Sequence, residues 1–184
     1  MTGRDILKRI KEEPMDFLTL AKERYSCRKF SGKAVEQEKL EKIMEAGIAA
    51  PTAVNKQPYK IWLMQSEEAR KAIYEVTRFT FDVDVFFVVG YLEEEAWVRK
   101  YDGRNFADVD ASIVAAQMML EIQDLGLGTT WVGHFDAPRL KNLYPEMEPY
   151  GLIAIFPVGY PAEDAEPAVH HGIRRDKTEA VKIL

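Results

Sequence analysis

The sequence predicts a single α/β or α+β domain built around a central sheet, and three observations predict it. Segments with apolar residues at helical spacing alternate with short runs of β-branched and aromatic residues. The run Val85-Phe86-Phe87-Val88-Val89 is apolar at every position, as a strand covered on both faces must be. The segment from about Asp108 to Leu125 is helical in pattern yet apolar nearly all round, so it must be covered on most sides by the domain or by a second subunit.

In chain order, Asp16 to Glu23 reads as a short helix with Asp16 as N-cap and Phe17, Leu20 and Ala21 on one face. Glu36 to Ala50 is a longer one, with Leu40, Ile43, Met44, Gly47 and Ile48 at helical spacing and Pro51 to halt it. Lys60 to Gln65 follows as a strand, Glu67 to Val76 as a helix, and Val83 to Leu92 as the buried strand. After the apolar helix, Gly126 offers a left-handed cap and Leu127 the hydrophobic contact that goes with it. Thr129 to Gly133 and Leu152 to Gly159 complete the strands, with a helix from Ala137 to Leu143 between them.

The 184 residues suit one domain, a size class that buries about 70% of its unfolded surface. Apolar residues at 47% and charged ones at 30% argue against disorder. A net charge of −5, with basic residues interleaved among acids, offers no face for nucleic acid. The single cysteine, Cys27, excludes an internal disulfide, and no Cys/His cluster has metal-ligand spacing. Met1 to Pro14 lacks the apolar core of a signal peptide, and no apolar run approaches the roughly 18 residues of a membrane span. The expectation is a soluble cytoplasmic protein with no membrane partner.

Two stretches carry chemistry. In Arg24-Tyr25-Ser26-Cys27-Arg28-Lys29-Phe30, Arg24, Ser26 and Arg28 fall at every second position and point one way if the segment is extended. Such a cluster of cationic and hydroxyl donors suits a phosphate. In Ala50-Pro51-Thr52-Ala53-Val54-Asn55-Lys56-Gln57-Pro58-Tyr59, amide side chains flank a proline-bounded turn and suit a planar, hydrogen-bonding ligand. Each stretch alone reads more readily as a solvated edge with a helix cap or as an ordinary loop. Together they outline a flavin mononucleotide (FMN).

With Leu125-Gly126-Leu127-Gly128-Thr129-Thr130-Trp131-Val132-Gly133, Gly159-Tyr160-Pro161-Ala162-Glu163 and Arg174-Arg175 following in order, the chain resembles the nitroreductase family over residues 16 to 182 or so. The resemblance implies an α+β fold, a central, mostly antiparallel sheet flanked by helices, and an intertwined homodimer. It implies FMN contacts from Arg24, Tyr25, Ser26 and Arg28, with Arg24 and Ser26 on the phosphate and ribityl chain. It implies a loop of Pro51, Thr52, Ala53 and Asn55, with Gln57 as a further candidate, reaching the flavin across the dimer interface. Trp131, Val132, Gly133 and His134 match the segment beside the ring, where backbone amides lie near N5. Arg174, or Arg175 one register on, matches a late phosphate-binding position. Some members carry a Glu where Gly133 stands, so that carboxylate is absent here.

The activity so implied is hydride transfer from NADH or NADPH, through flavin N5, to a flat acceptor such as a nitroaromatic or quinone, by alternation at one site. The cofactor carries the chemistry, so no catalytic side chain and no metal is expected. Alternation places Cys27 opposite Arg24, Ser26 and Arg28, which disfavours a catalytic thiol. A flavin-binding protein without turnover, and a reductase of some other unsaturated or halogenated metabolite, remain as alternatives. Residues 1–15 match nothing in the family and read either as a helix wrapping the dimer or as a disordered tail.

Overall fold

Three antiparallel strands form the sheet: β1 (Tyr59–Met64), β2 (Val85–Tyr91) and β3 (Gly151–Val158), in that spatial order. The computed structural model describes residues 16–184, so the reading of residues 1–15 falls outside it. Trp62 lies opposite Val88, and Val88 opposite Ile155. One extra residue in β3, Ile153, is bulged out between the partners of Val89 and Gly90.

The central strand sorts the core. Val85, Phe87 and Val89 face one layer, formed by α2 (Gln37–Ile48) and α4 (Ala107–Asp124) through Leu40, Ile43, Val114, Met118 and Ile122. Phe86 and Val88 face the other, formed by α3 (Glu67–Val76) and α5 (Ala137–Leu143) through Ile73, Val76 and Leu140. Both faces of β2 are therefore covered, which is why its sequence shows no polar alternation. A short helix, α1 (Phe17–Glu23), precedes the core, and its Asp16 cap accepts the amides of Leu18 and Thr19 at 3.1 and 3.2 Å. The last, α6 (Lys177–Ala180), follows it.

Helix α4 ends as its sequence indicates. Gly126 takes φ +73°, the Leu127 amide reaches back to the Ile122 carbonyl, and the Gly126 amide to that of Gln123. Its apolar girdle is not fully covered within the chain, since Ile113 is 38% exposed. No helix of the described residues is long and apolar enough to cross a membrane.

The expected strand over Thr129–Gly133 is not a continuous strand. Gly128 pairs with Gly159 and Val132 with Ile155, in one antiparallel register along the outer edge of β3. That register puts Thr130 opposite Pro157, and proline has no amide hydrogen to donate. The ladder is broken at its middle rung. The proline leaves β2 undisturbed because the side of β3 that it blanks is the outer one, the side on which Ile155 bonds Val132.

Candidate functional site

Beyond that broken rung the chain adds a further extended piece. Ser26 pairs in parallel with Thr129, and the Cys27 amide donates to the Thr129 carbonyl at 2.9 Å. The expected alternation holds here. Tyr25 and Cys27 turn inward, at 7% and 0% exposure, against Ala165, while Arg24 and Ser26 are half-buried and Arg28 is exposed. Arg28 Nη1 folds back onto the Ser26 carbonyl at 3.1 Å. Burial pushes the Cys27 thiol upward in pKa and does the same to the Tyr25 phenol, while the thiol donates to the Lys29 carbonyl at 3.3 Å.

Arg24 is joined by a residue from the far end of the chain. Burial first, and then the charge of Arg174, lowers the pKa of the Arg24 guanidinium. Arg174 is held by bonds from Nη1 to the carbonyls of His171 and Ile173. His171 in turn meets the Tyr25 ring edge-on, at 6.3 Å between centroids. Among the described residues no ion pair links Arg24 or Arg174 to a carboxylate, so two like charges stand together without a counter-ion. On the residue paired with Ser26, the Thr129 hydroxyl is buried without a hydrogen-bond partner among the described residues. Arg175 points elsewhere, its Nε 3.9 Å from Glu179.

Trp131, Val132, Gly133 and His134 divide in role. Val132 is a core residue, and both its amide and its carbonyl bond to Ile155. Trp131 is 38% exposed and stands edge-on to Phe156 at 5.3 Å. Gly133 is exposed, and a Cβ there would meet nothing nearer than the Trp131 ring at 3.9 Å, so its backbone is open to a planar ligand. The His134 ring packs against Phe79, while its carbonyl accepts the Thr77 hydroxyl at 2.9 Å. Thr77 and Arg78 share with His134 a surface cavity of about 550 Å³. These two residues escape sequence reading because they follow α3 in an irregular segment with no periodic pattern.

The loop of Pro51, Thr52, Ala53, Asn55 and Gln57 stands apart from this group. Its Ala53 amide donates to Asp110 Oδ1 at 2.9 Å, in the first turn of α4. The Gln57 amide donates to Thr52 Oγ1 at 3.0 Å, and Gln57 Nε2 to the Asn55 carbonyl at 3.4 Å. Val54, Asn55 and Gln57 all adopt positive φ, at 47°, 57° and 53°. Such backbone is costly for a residue with a Cβ, most of all for β-branched valine. The loop sits at the N-terminal end of α4, whereas Thr129 and its Ser26 partner follow the C-terminal end, about 20 Å of helix away.

A family model described as the nitroreductase family matches residues 21–83 and 78–160. The chain belongs to the nitroreductase family. A nitroreductase family protein from Clostridium difficile superposes with a TM-score of 0.83 at 32% identity, over 91% of this chain and 98% of that one. A Methanothermobacter thermautotrophicus protein, provisionally named NADH dehydrogenase/NAD(P)H nitroreductase, is 28% identical over 84% of this chain and 82% of its own length. A family structure from Exiguobacterium sibiricum, solved in complex with FMN, shares the fold at 16% identity and a TM-score of 0.78, covering 94% and 99% of the two chains. The helices flanking an antiparallel sheet in this chain are thus the nitroreductase-family fold.

The region between α3 and α4 carries β2 and then an irregular segment. It holds a small hairpin in which Val98 pairs with Asn105 and Trp97 packs on Phe106 at 5.1 Å, with Tyr101 at the tip 98% exposed. Among the described residues no group of His, Cys, Asp or Glu could hold a metal ion.

Proposed function

We propose that this protein is an FMN-dependent oxidoreductase that takes hydride from NADH or NADPH and delivers it to a flat acceptor such as a nitroaromatic or a quinone, by alternation at one site. The observation that carries the reading is that Arg174 stands near enough to Arg24 for its charge to lower the Arg24 pKa, with neither ion-paired to a carboxylate among the described residues. A phosphate monoester supplies the missing charge and accepts from both guanidiniums. Ser26, Arg28 and the unpartnered Thr129 hydroxyl add donors beside it. The relatives named as NAD(P)H nitroreductases and the fold neighbour solved with FMN support the same assignment.

The residues take distinct parts. Arg24 and Arg174 hold the phosphate, and Arg175, turned to Glu179, does not. Gly133 offers an uncommitted amide to the ring, whereas Val132 positions it from within the ladder. FMN, when bound, supplies hydride exchange at ring N5, and the polypeptide orients it and tunes its charge.

The site is completed by a second copy of the chain. The loop carrying Asn55 is tied to the first turn of α4, whereas Ser26 pairs with Thr129 beyond that helix's C-terminal end, which supports its serving the site of the partner subunit. The exposed Ile113 face of α4 and the exposed Ile48 and Val54 are apolar surface for that contact. A cytoplasmic setting suits a chain whose single cysteine is unpaired.

The test is an absorption spectrum of the purified protein followed by anaerobic titration with NADH and NADPH. Flavin bands that bleach rapidly support a working oxidoreductase. Bands that persist point to a binder without turnover, and protein that takes up no added FMN overturns the proposal.

A further inference from the structure

Asp110 is the only charged side chain among the described residues that is fully buried, at 1% exposure. It lies on the apolar helix α4, where packing alone would favour an aliphatic residue. Its one hydrogen bond is the 2.9 Å contact from the Ala53 amide to Oδ1; Oδ2 has no partner among the described residues. A buried carboxylate with so little return is not explained by the stability of α4. Its position in the first helical turn lessens the cost of the charge but does not require one there.

What the carboxylate does is visible in the loop it holds. Three of the four residues Val54 to Gln57 are left-handed without being glycine, a conformation that persists only where the surroundings impose it. Packing does not impose it, because Val54 is 71% exposed and Asn55, Lys56 and Gln57 are exposed with it. Three backbone amides close the loop on itself, Asn55 to the Thr52 carbonyl, Lys56 to the Ala53 carbonyl and Gln57 to the Thr52 hydroxyl, and Gln57 Nε2 adds a bond to the Asn55 carbonyl. The bond to Asp110 is the one that ties this closed unit to α4.

We infer that Asp110 is a positioning residue of the flavin site, clamping the Ala53 amide so that the strained loop presents Asn55 to the cofactor held by a second copy of the chain. This rests on the flavin reading above. Asp110 touches neither cofactor nor substrate, and it acts through the backbone of the loop.

The experiment compares wild type, Asp110→Ala and Asp110→Asn, measuring amide hydrogen exchange of the FMN-free protein and FMN affinity by fluorescence quenching. Asparagine keeps an oxygen where Oδ1 stands and so keeps the acceptor for Ala53. The expected result is that Asp110→Ala exchanges faster over residues 51–57 with Val85–Tyr91 still protected, and binds FMN about tenfold or more weaker. Asp110→Asn restores both toward wild type. Unchanged loop exchange and FMN affinity in Asp110→Ala overturn the inference. So does a loss of protection throughout Val85–Tyr91 in both variants, which would make Asp110 a residue of general stability. Wild-type protein that binds no FMN overturns the flavin reading itself and the positioning role with it. Normal wild-type binding alongside an insensitive Asp110→Ala overturns the clamp alone.

Discussion

A Cβ added to Gly128 would lie 2.7 Å from the Cβ of Cys27 and 2.9 Å from its sulfur. Gly128 and Cys27 are thus in contact across the seam that joins the Arg24–Arg28 segment to the edge of β3. Gly128→Ala must push that segment away, because neither neighbour is the free end of a flexible side chain. Overpacking of this kind costs about 1–3 kcal/mol, which lowers the melting temperature by roughly 3–9 °C in a chain of this size. FMN affinity should fall with it, and a variant with wild-type melting temperature and affinity would show that the seam is not needed for the site.

The phosphate assignment separates three arginines. Arg24→Ala and Arg174→Ala should each lose about 1.5–3 kcal/mol of FMN binding, the range for hydrogen bonds to charged groups. That is a roughly 10- to 150-fold rise in Kd. Arg175→Ala should bind as wild type does, since its side chain turns to Glu179. Equal losses at 174 and 175 would contradict the placement.

Cys27 should be dispensable for turnover, and Cys27→Ser should retain most of the NAD(P)H-dependent rate. A dead Cys27→Ser enzyme would require a role for the thiol that the fold does not show. The raised pKa values of Cys27 and Tyr25 also set a pH dependence. Both groups are neutral in folded and unfolded chains below their ordinary values of 9.0 and 10.0, so stability is fully present there. Above about pH 9 the unfolded chain gives up these protons more readily than the folded one, and stability falls as pH rises. Melting temperatures taken from pH 7 to 11 should decline above pH 9, with Cys27→Ala delaying the onset.

A shared site can be detected by mixing. Arg24→Ala damages the phosphate group, and Asn55→Gly removes the loop's amide while sparing its left-handed backbone. If the site is shared across a dimer, the two variants co-refolded in equal amounts should form mixed dimers in half of all pairings, each with one intact site. About a quarter of wild-type activity should return for a two-fold symmetric dimer. If each site were built from one chain, mixing would restore nothing beyond the sum of the parts.

Much of this architecture is legible from local pattern. The helices of the core follow from apolar spacing, and the Gly126 cap from a glycine after the last periodic residue. Alternation along Arg24–Arg28 correctly separates the inward Tyr25 and Cys27 from the others. The failure at Thr129–Gly133 has a cause that local pattern does not reach, because the broken rung is set by Pro157 on another strand. The left-handed run through Val54 is opaque for a similar reason. No residue type there favours positive φ more than Asn55 does, and the bond that ties the loop to α4 goes to Asp110, more than fifty residues on. Asp110 itself is not singled out by sequence, because the same helix also carries Asp108, Glu121 and Asp124, and only its burial sets it apart.

On the shared-site reading proposed above, subunit assembly and cofactor loading would form a single linked equilibrium. If each flavin is gripped at its phosphate by one chain and capped by the loop of the other, FMN binds the pair more tightly than the lone chain. By reciprocity it must then strengthen the pair by the same factor. Dilution would release flavin and flavin depletion would loosen the pair, so the fraction of active protein would depend on protein and FMN concentrations together.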